Sequence, residues 1–414
     1  MTPPATLRLD NDAWLGAAPV RRALGLLDGD GEQARVVGGA ARNALMGLPL
    51  SDIDIATTAV PDEVMRRAAA AGLKAVPTGI DHGTITLVVE GVPFEVTTLR
   101  EDVETFGRKA IVAFGRDWQV DAERRDFTMN ALSISPDGTV HDYVGGLADL
   151  RERRVRFIGD PARRIAEDYL RILRFFRFQA SYAHGAPDPA GLHACIVARD
   201  GLRTLSRERV RGELMKLLLA PYAVPTLAVM AETGFAELLL GGVPQLASFA
   251  NMIKVEAATA QAPDAARRLG ALALLVVEDA DRLRDRLRLA NIEHERLLAM
   301  AQGWWRLSPA AHGDGRALLY RLGPVHFRDR VLLAWARSPA GAADPSWRAL
   351  ADLPARWTPP RFPLRAADLV SRGVIKGPAL GAALAVAEAA WIAADFPSDP
   401  EILGRIADRA AGLP

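Results

Sequence analysis

"VVGGAARNALMGLPLSDIDIATT", residues 36–58, decides how the rest of the chain is read. A short β-branched run ends in Gly38-Gly39, an Ala-rich helical stretch follows, and Asp52 and Asp54 then flank a single Ile53. On a strand, side chains two residues apart share a face, roughly 6.6–6.8 Å apart along the chain. The pair is therefore predicted to point together, with Ile53 turned into the core. Like charges on one face repel unless a cation or donors compensate them, and hard carboxylate oxygens select Mg²⁺ or a similar ion. The plain alternative is a polar strand end with solvated carboxylates. The preceding turn argues against it. A Gly pair between strand and helix exposes backbone N–H groups at a helix N-terminus, which suits a phosphate, and Arg42 lies close enough in sequence to reach the same anion. Glu95, in "FEVTTLR" (94–100), supplies a candidate third carboxylate on a neighbouring strand.

Outward from this stretch, the first third reads as mixed α/β. The runs 34–38, 53–57, 84–90 and 93–99 are strand-like, and Gly91-Val92 between the last two suggests a hairpin. A helix is expected over 61–73, with Pro61 at its start and Gly72 near its end. From about residue 146 the texture becomes Leu/Ala/Arg-rich with a 3.6-residue rhythm, which predicts a long helical body, including one helix over 162–183. Trp304, Trp305 and Trp391 lie in apolar helical surroundings and are read as core. The expected division is a head over 1–140, a helical neck over 141–225, a helical body over 226–335 and a helical tail over 336–414.

The 414 residues are half hydrophobic, enough for several cores, and their net charge is +1. That balance hides an asymmetry: residues 1–107 carry nine Lys+Arg against fifteen Asp+Glu, whereas 108–177 carry fourteen against eleven. No apolar run reaches the roughly 18 residues of a membrane span. No secretion signal is visible, and Cys195 is the only cysteine, so an internal disulfide or Cys-based zinc site is excluded and a reducing cytoplasm is expected.

These motifs resemble the bacterial-class tRNA nucleotidyltransferases, the CCA-adding enzymes, and the related bacterial poly(A) polymerases. The resemblance rests on Gly38-Gly39-Ala40-Ala41-Arg42-Asn43, Asp52-Ile53-Asp54, "FEVTTLR", "ERRDFTMNAL" (123–132) and "GDPARRIAEDYLRILRFFRF" (159–178), in the family's order. "FPLRAADLVSRGVIKGPALGAAL" (362–384) is similar to a C-terminal signature of many members. One departure stands out: Asn43 occupies a position where the family usually has Asp. The resemblance implies an α+β fold, with a five-stranded, polymerase-β-like nucleotidyltransferase head followed by an all-helical neck, body and tail. It implies addition of CMP, CMP and AMP from CTP and ATP to the 3′ end of tRNA, with Asp52 and Asp54 holding Mg²⁺ and Glu95 completing the catalytic trio. Gly38, Gly39, Arg42 and Arg125 would serve the nucleotide, and residues 101–120, with Arg108 and Lys109, match a loop that assists the switch from C to A.

Asp168, Arg171, Arg174 and Arg177 step by three and would share one helix face. A carboxylate beside a guanidinium matches the donor and acceptor edge of cytosine or adenine, so Asp168 and Arg171 are the expected base readers. Poly(A) polymerase is the nearest alternative. A non-catalytic RNA-binding protein on the same scaffold is the alternative of another class. An antibiotic-modifying nucleotidyltransferase lacks the Asp168 helix, and His141-Asp142 lacks the partner histidines of a metal phosphohydrolase. His82 is read as a turn residue.

Overall fold

The opening stretch folds as a strand, Ala34–Val37, a helix, Gly38–Leu45, and a second strand, Asp54–Thr57. The computed structural model describes residues 7–9, 13–50, 52–80, 83–106, 109–309 and 312–412. His82, Arg108 and the side chain of Lys109 lie outside the described part. The chain forms two compact units, Met1–Thr233 and Gly234–Pro414.

The first unit is built on a mixed sheet. Its strands are β1 (Leu7–Arg8), β2 (Ala34–Val37), β3 (Asp54–Thr57), β4 (Lys74–Gly79), β5 (Thr84–Val89), β6 (Val92–Thr98), β9 (Ser133–Ile134) and β10 (Thr139–His141), ordered β1-β10-β9-β2-β3-β6-β5-β4. Eight strands thus stand where five were expected, because the short β1, β9 and β10 extend one edge. The strands β7 (Arg100–Phe106) and β8 (Lys109–Phe114) form a separate antiparallel ribbon within the segment expected as a loop.

All four residues of β2 are buried, as a central strand requires. β3 runs parallel to β6 with Asp54 opposite Glu95. β5 and β6 close through Glu90 (φ 52°) and Gly91 (φ 81°), the positive-φ pair of a type I′ hairpin, one residue earlier than the sequence suggested. Alternation along β6 buries Phe94 and Val96 and turns Glu95 outward.

One expectation about the aspartate pair changes. Only Asp54 lies in a strand. Pairing ends at Val37↔Asp54, because Gly38 (φ 65°) turns the partner chain into its helix. Asp52 sits just ahead of β3, and Ile53 is half-buried rather than a core residue.

The helices of this unit are α1 (Ala18–Leu27), α2 (Gly38–Leu45), α3 (Pro61–Ala70), α4 (Trp118–Glu123), α5 (Gly146–Arg151), α6 (Pro161–Glu167), α7 (Leu170–Tyr182), α8 (Pro189–Val197), α9 (Arg207–Leu219) and α10 (Ala223–Glu232). The single helix expected over 162–183 is two. At Asp168 the backbone is extended (φ −155°, ψ 108°), and its carboxylate accepts the Leu170 N–H at 3.1 Å, as a capping aspartate does. Phe175 of α7 packs against Phe127 and Phe157, and Phe178 against Phe127, with ring centroids 5.1–6.3 Å apart, which fixes α7 to the head.

Among the described residues no strand follows His141, and the second unit is helical. Trp391 is core there, joined by Tyr320, Phe362 and Phe396. Trp304 donates to the Leu275 carbonyl, but Trp305 is 53% exposed, against its reading as core. Cys195 is buried. No helix among the described residues is long and apolar enough to cross a membrane.

Candidate active site

The strand-to-helix turn at Gly38, the start of β3, the α4 C-terminus and the first turns of α7 converge on one cleft of about 440 Å³. Gly38, Gly39, Arg42, Asp54, Arg125, Asp168, Arg171 and Arg174 all line it, from the residues singled out in the sequence. Asp52, Glu95 and Arg177 do not. Arg177 instead pairs with Glu213 of α9 and lies over the Phe178 ring, within the network that supports α7.

Asp54, at the sheet end of the cleft, has Glu95 opposite it on β6 and Asp52 two residues before it. Asp52, Asp54 and Glu95 make no hydrogen bond or ion pair among the described residues. Burial, then the charges of Glu95 and Asp52, push the Asp54 carboxyl up to about 6, against the pull of Arg125. The same described residues contain no ready-made metal site of three or more carboxylate, histidine or thiol side chains. The fit to a hard divalent cation therefore rests on unpaired oxygen donors and repulsion a cation would relieve, with the remaining ligand positions left to a ligand's own oxygens.

The other walls are paired. Asp126 is buried, and burial alone would raise its carboxyl. Arg174, at 2.6 Å, with Asn130 and the Phe127 N–H, hold it below the usual carboxylate range. Arg42 is 5% exposed and donates to Asn43 (2.8 and 3.1 Å), Asn130 (2.6 Å) and the Tyr182 hydroxyl (2.7 Å). Asn43, the departure from the family pattern, thus accepts from Arg42 and donates to the Pro49 carbonyl at 2.9 Å.

Asp168 does not share a helix face with the arginines, since it occupies the break between α6 and α7. Its Oδ2 accepts from Arg209 of α9 at 2.6 Å, and its other oxygen caps α7. Arg171 donates to Glu167 and to the Arg164 carbonyl, which leaves its Nε and Nη2 without partners among the described residues. Arg209, Asn130 and Tyr182 were not singled out, because each joins the site across a long stretch of sequence. Asp121 was also missed, although its spacing from Arg124 and Arg125 in "DAERR" was visible.

A family model of the poly(A) polymerase head domain matches residues 34–156, and one described as a probable RNA- and SrmB-binding site of polymerase A matches 188–249. The mitochondrial CCA tRNA nucleotidyltransferase 1 of Mus musculus is 33% identical over 87% of this chain and 83% of its own length. Its Danio rerio counterpart is 45% identical, and that match spans about half of either chain. The CCA-adding enzyme of Limosilactobacillus fermentum is 32% identical over 88% of this chain and 90% of its own. Among solved structures, the Bacillus stearothermophilus CCA-adding enzyme in complex with CTP superposes with a TM-score of 0.77 at 27% identity, covering 94% of this chain and 96% of that one. Motif order, fold and identity over most of two relatives' lengths lead to one conclusion: this chain is an enzyme that belongs to the CCA-adding tRNA nucleotidyltransferase family.

Proposed function

We propose that the chain adds CMP, CMP and AMP, from CTP and ATP, to the 3′ end of tRNA. The observation that carries this reading is one cleft lined both by Asp54, unpaired among the described residues, with Arg125 at the Gly38 turn, and by Asp168 and Arg171 at the start of α7. In the reaction the RNA 3′-oxygen attacks the α-phosphorus, a new P–O bond forms, and the bond to the β-phosphate breaks with release of pyrophosphate. The hydroxyl proton leaves on the carboxylate side of the cleft.

Asp52 and Asp54 would hold divalent ions, for which Mg²⁺ is the natural choice, with Glu95 beside them. Two such ions, when bound, lower the pKa of the attacking hydroxyl and stabilise the leaving oxygen. Arg125 and Arg174, with the N–H groups of the Gly38 turn, bind and orient the triphosphate. Arg42 acts differently from a simple phosphate ligand, because its donors are mostly committed to Asn43, Asn130 and Tyr182. It joins the glycine turn to the end of α7, and we assign it to holding the cleft walls in register.

Base choice falls to Asp168 and Arg171. Asp168 has one acceptor position on each oxygen beyond those given to Leu170 and Arg209, and Arg171 has N–H groups at Nε and Nη2 without partners among the described residues. A carboxylate accepts from the amino group of cytosine or adenine, which uracil and guanine do not offer in that position. Residues 1–140, 141–225, 226–335 and 336–414 would then serve as head, neck, body and tRNA-binding tail, in a reducing cytoplasm.

The test is a tRNA ending before CCA, given each labelled nucleotide separately and in pairs with Mg²⁺, and its 3′ ends sequenced. Addition of C, C and A supports the reading. Because a poly(A) polymerase head model also matches, the second reading is AMP addition, and it forecasts repeated A on many RNAs with CTP barely used. No incorporation under any condition points to a binding protein on this scaffold.

A further inference from the structure

The two adjacent arginines of "ERRDF" are both held by one residue that precedes them. Asp121 of α4 is 3% exposed. Its Oδ1 accepts from Arg124 Nε and Nη2 at 2.9 and 2.6 Å, and its Oδ2 accepts from Arg125 Nε and Nη2 at 3.2 and 3.0 Å. Burial alone would raise this carboxyl, but Arg125 and Arg124 outweigh it and hold it below the usual range. Neighbouring side chains at a helix end normally diverge by about 100°. Here one carboxylate gathers both, and one negative charge between two guanidiniums leaves positive charge facing the cleft.

Arg125 also has a competitor for its charge. A Cβ built on Gly38 would lie 3.8 Å from Arg125 Nη1 and 3.9 Å from Asp54 Oδ2, so the guanidinium and the unpaired carboxylate flank the same point. Arg125 pulls on the Asp54 charge yet makes no hydrogen bond to it. With Nε and Nη2 fixed behind it, only Nη1 projects forward, without a partner among the described residues. We propose that Asp121 is a positioning residue that holds Arg125 back from Asp54, so that its free N–H groups serve the phosphates of the incoming nucleotide and the Asp54 oxygens stay open to a divalent cation. Without that hold, the attraction between opposite charges at close range draws Arg125 onto Asp54 and closes both sites at once.

This inference rests on the reading of the cleft as a nucleotide site, and the experiment separates the two. CTP and ATP binding to the full chain is measured by calorimetry in EDTA, Mn²⁺ binding by electron paramagnetic resonance, and steady-state kinetics on tRNA lacking its CCA. Asp121→Asn is expected to weaken CTP and ATP equally, about tenfold, to raise KM more than it lowers kcat, and to weaken Mn²⁺ binding. Arg125→Gln alone weakens the nucleotides but not Mn²⁺. The double variant binds nucleotide no worse than Arg125→Gln and regains wild-type Mn²⁺ binding, which a residue needed only for folding would not restore. Asp121→Glu, which keeps the charge, recovers most nucleotide binding, and it replaces Asp121→Asn in the same cycle should that variant melt below the assay temperature. Unchanged CTP and Mn²⁺ binding in Asp121→Asn, or additive losses in the double variant, overturns the proposal alone. Wild-type protein that binds neither CTP nor ATP overturns the functional reading and this one with it.

Discussion

Two groups of carboxylates in this molecule are treated in opposite ways. In the second unit, Glu256 and Asp329 are each 1% exposed, yet arginines meet both oxygens of each. Arg267 bridges Glu256 and Asp329 at 2.9 Å, Arg268 donates to the other Glu256 oxygen at 2.8 Å, and Arg296 donates to Asp329 at 2.5 Å and Asp264 at 3.0 Å. In the head, Asp52, Asp54 and Glu95 are less buried and have no such partners among the described residues. A buried charge whose compensation is internal belongs to the structure. The head carboxylates are left uncompensated among the described residues, although five arginines line the adjoining cleft, and the proposed function assigns their oxygens to a cation from outside.

The sharpest break of that contrast is to remove one carboxylate from each group. Asp54→Ala is expected to lower nucleotide incorporation by on the order of 10³-fold or more, since on the proposed function it removes a ligand for ions worth several kcal/mol to the transition state. Its melting temperature should not fall, because no internal partner is orphaned. Substantial activity in this variant would remove Asp54 from the chemistry. Asp329→Ala should do the reverse. It leaves Arg267 and Arg296 without their shared carboxylate and is expected to cost about 3–5 kcal/mol of stability, read from urea unfolding, while the activity of the fraction still folded is unchanged. A loss of under 1 kcal/mol would mean the network is solvated enough to be dispensable.

Asp168 lies between these extremes: one oxygen accepts from Arg209 and the other from the Leu170 N–H, and each keeps one further acceptor position. Asp168→Ala should relax selectivity against UTP and GTP by about 10–100-fold, the worth of one or two hydrogen bonds to a charged group, with a smaller effect on tRNA affinity. Full discrimination in that variant would rule out Asp168 as the reader.

Local patterns exposed much of this fold. The hairpin between β5 and β6, expected at Gly91-Val92 and found one residue earlier, the strand with Glu95 facing out and Phe94 facing in, and the helical texture after residue 146 all follow from alternation, turn residues and periodicity. Gly38, Asp54, Arg125 and Arg171 meet in one site, the first two at the ends of the paired strands β2 and β3 and the other two at helix ends, after α4 and at the start of α7. The break at Asp168 was hidden because both flanks keep helical periodicity, and what stabilises the break is Arg209, 41 residues away. The tight hold on Arg42 was hidden for the same reason, since Asn130 and Tyr182 reach it from 88 and 140 residues away. Asp121 was legible in principle, through i,i+3 and i,i+4 spacing to two arginines on a short helix.

The smallest expected effect is also the most direct measure of the uncompensated charge. The Asp54 carboxyl is raised to about 6 from an ordinary 3.8 in the folded protein, by burial first and then by Glu95 and Asp52. Between those two pH values the folded state binds more protons than the unfolded chain, so stability falls as pH rises. The contribution is fully present below the ordinary value and is lost as pH passes through about 6. In metal-free buffer, the melting temperature of the wild type minus that of Asp54→Asn should therefore decline by a few degrees between pH 4 and pH 6.5, roughly the scale of 1–2 kcal/mol in a protein of this size. Taking the difference cancels the carboxylates common to both proteins, including the paired network of the second unit. Mg²⁺ added above pH 6 should recover the loss in the wild type and do little for Asp54→Asn, because the ion replaces the proton on the same oxygens. A difference that stays flat with pH would show that solvent already neutralises this corner, and the contrast with the buried network would then lie in exposure rather than in a reserved binding site.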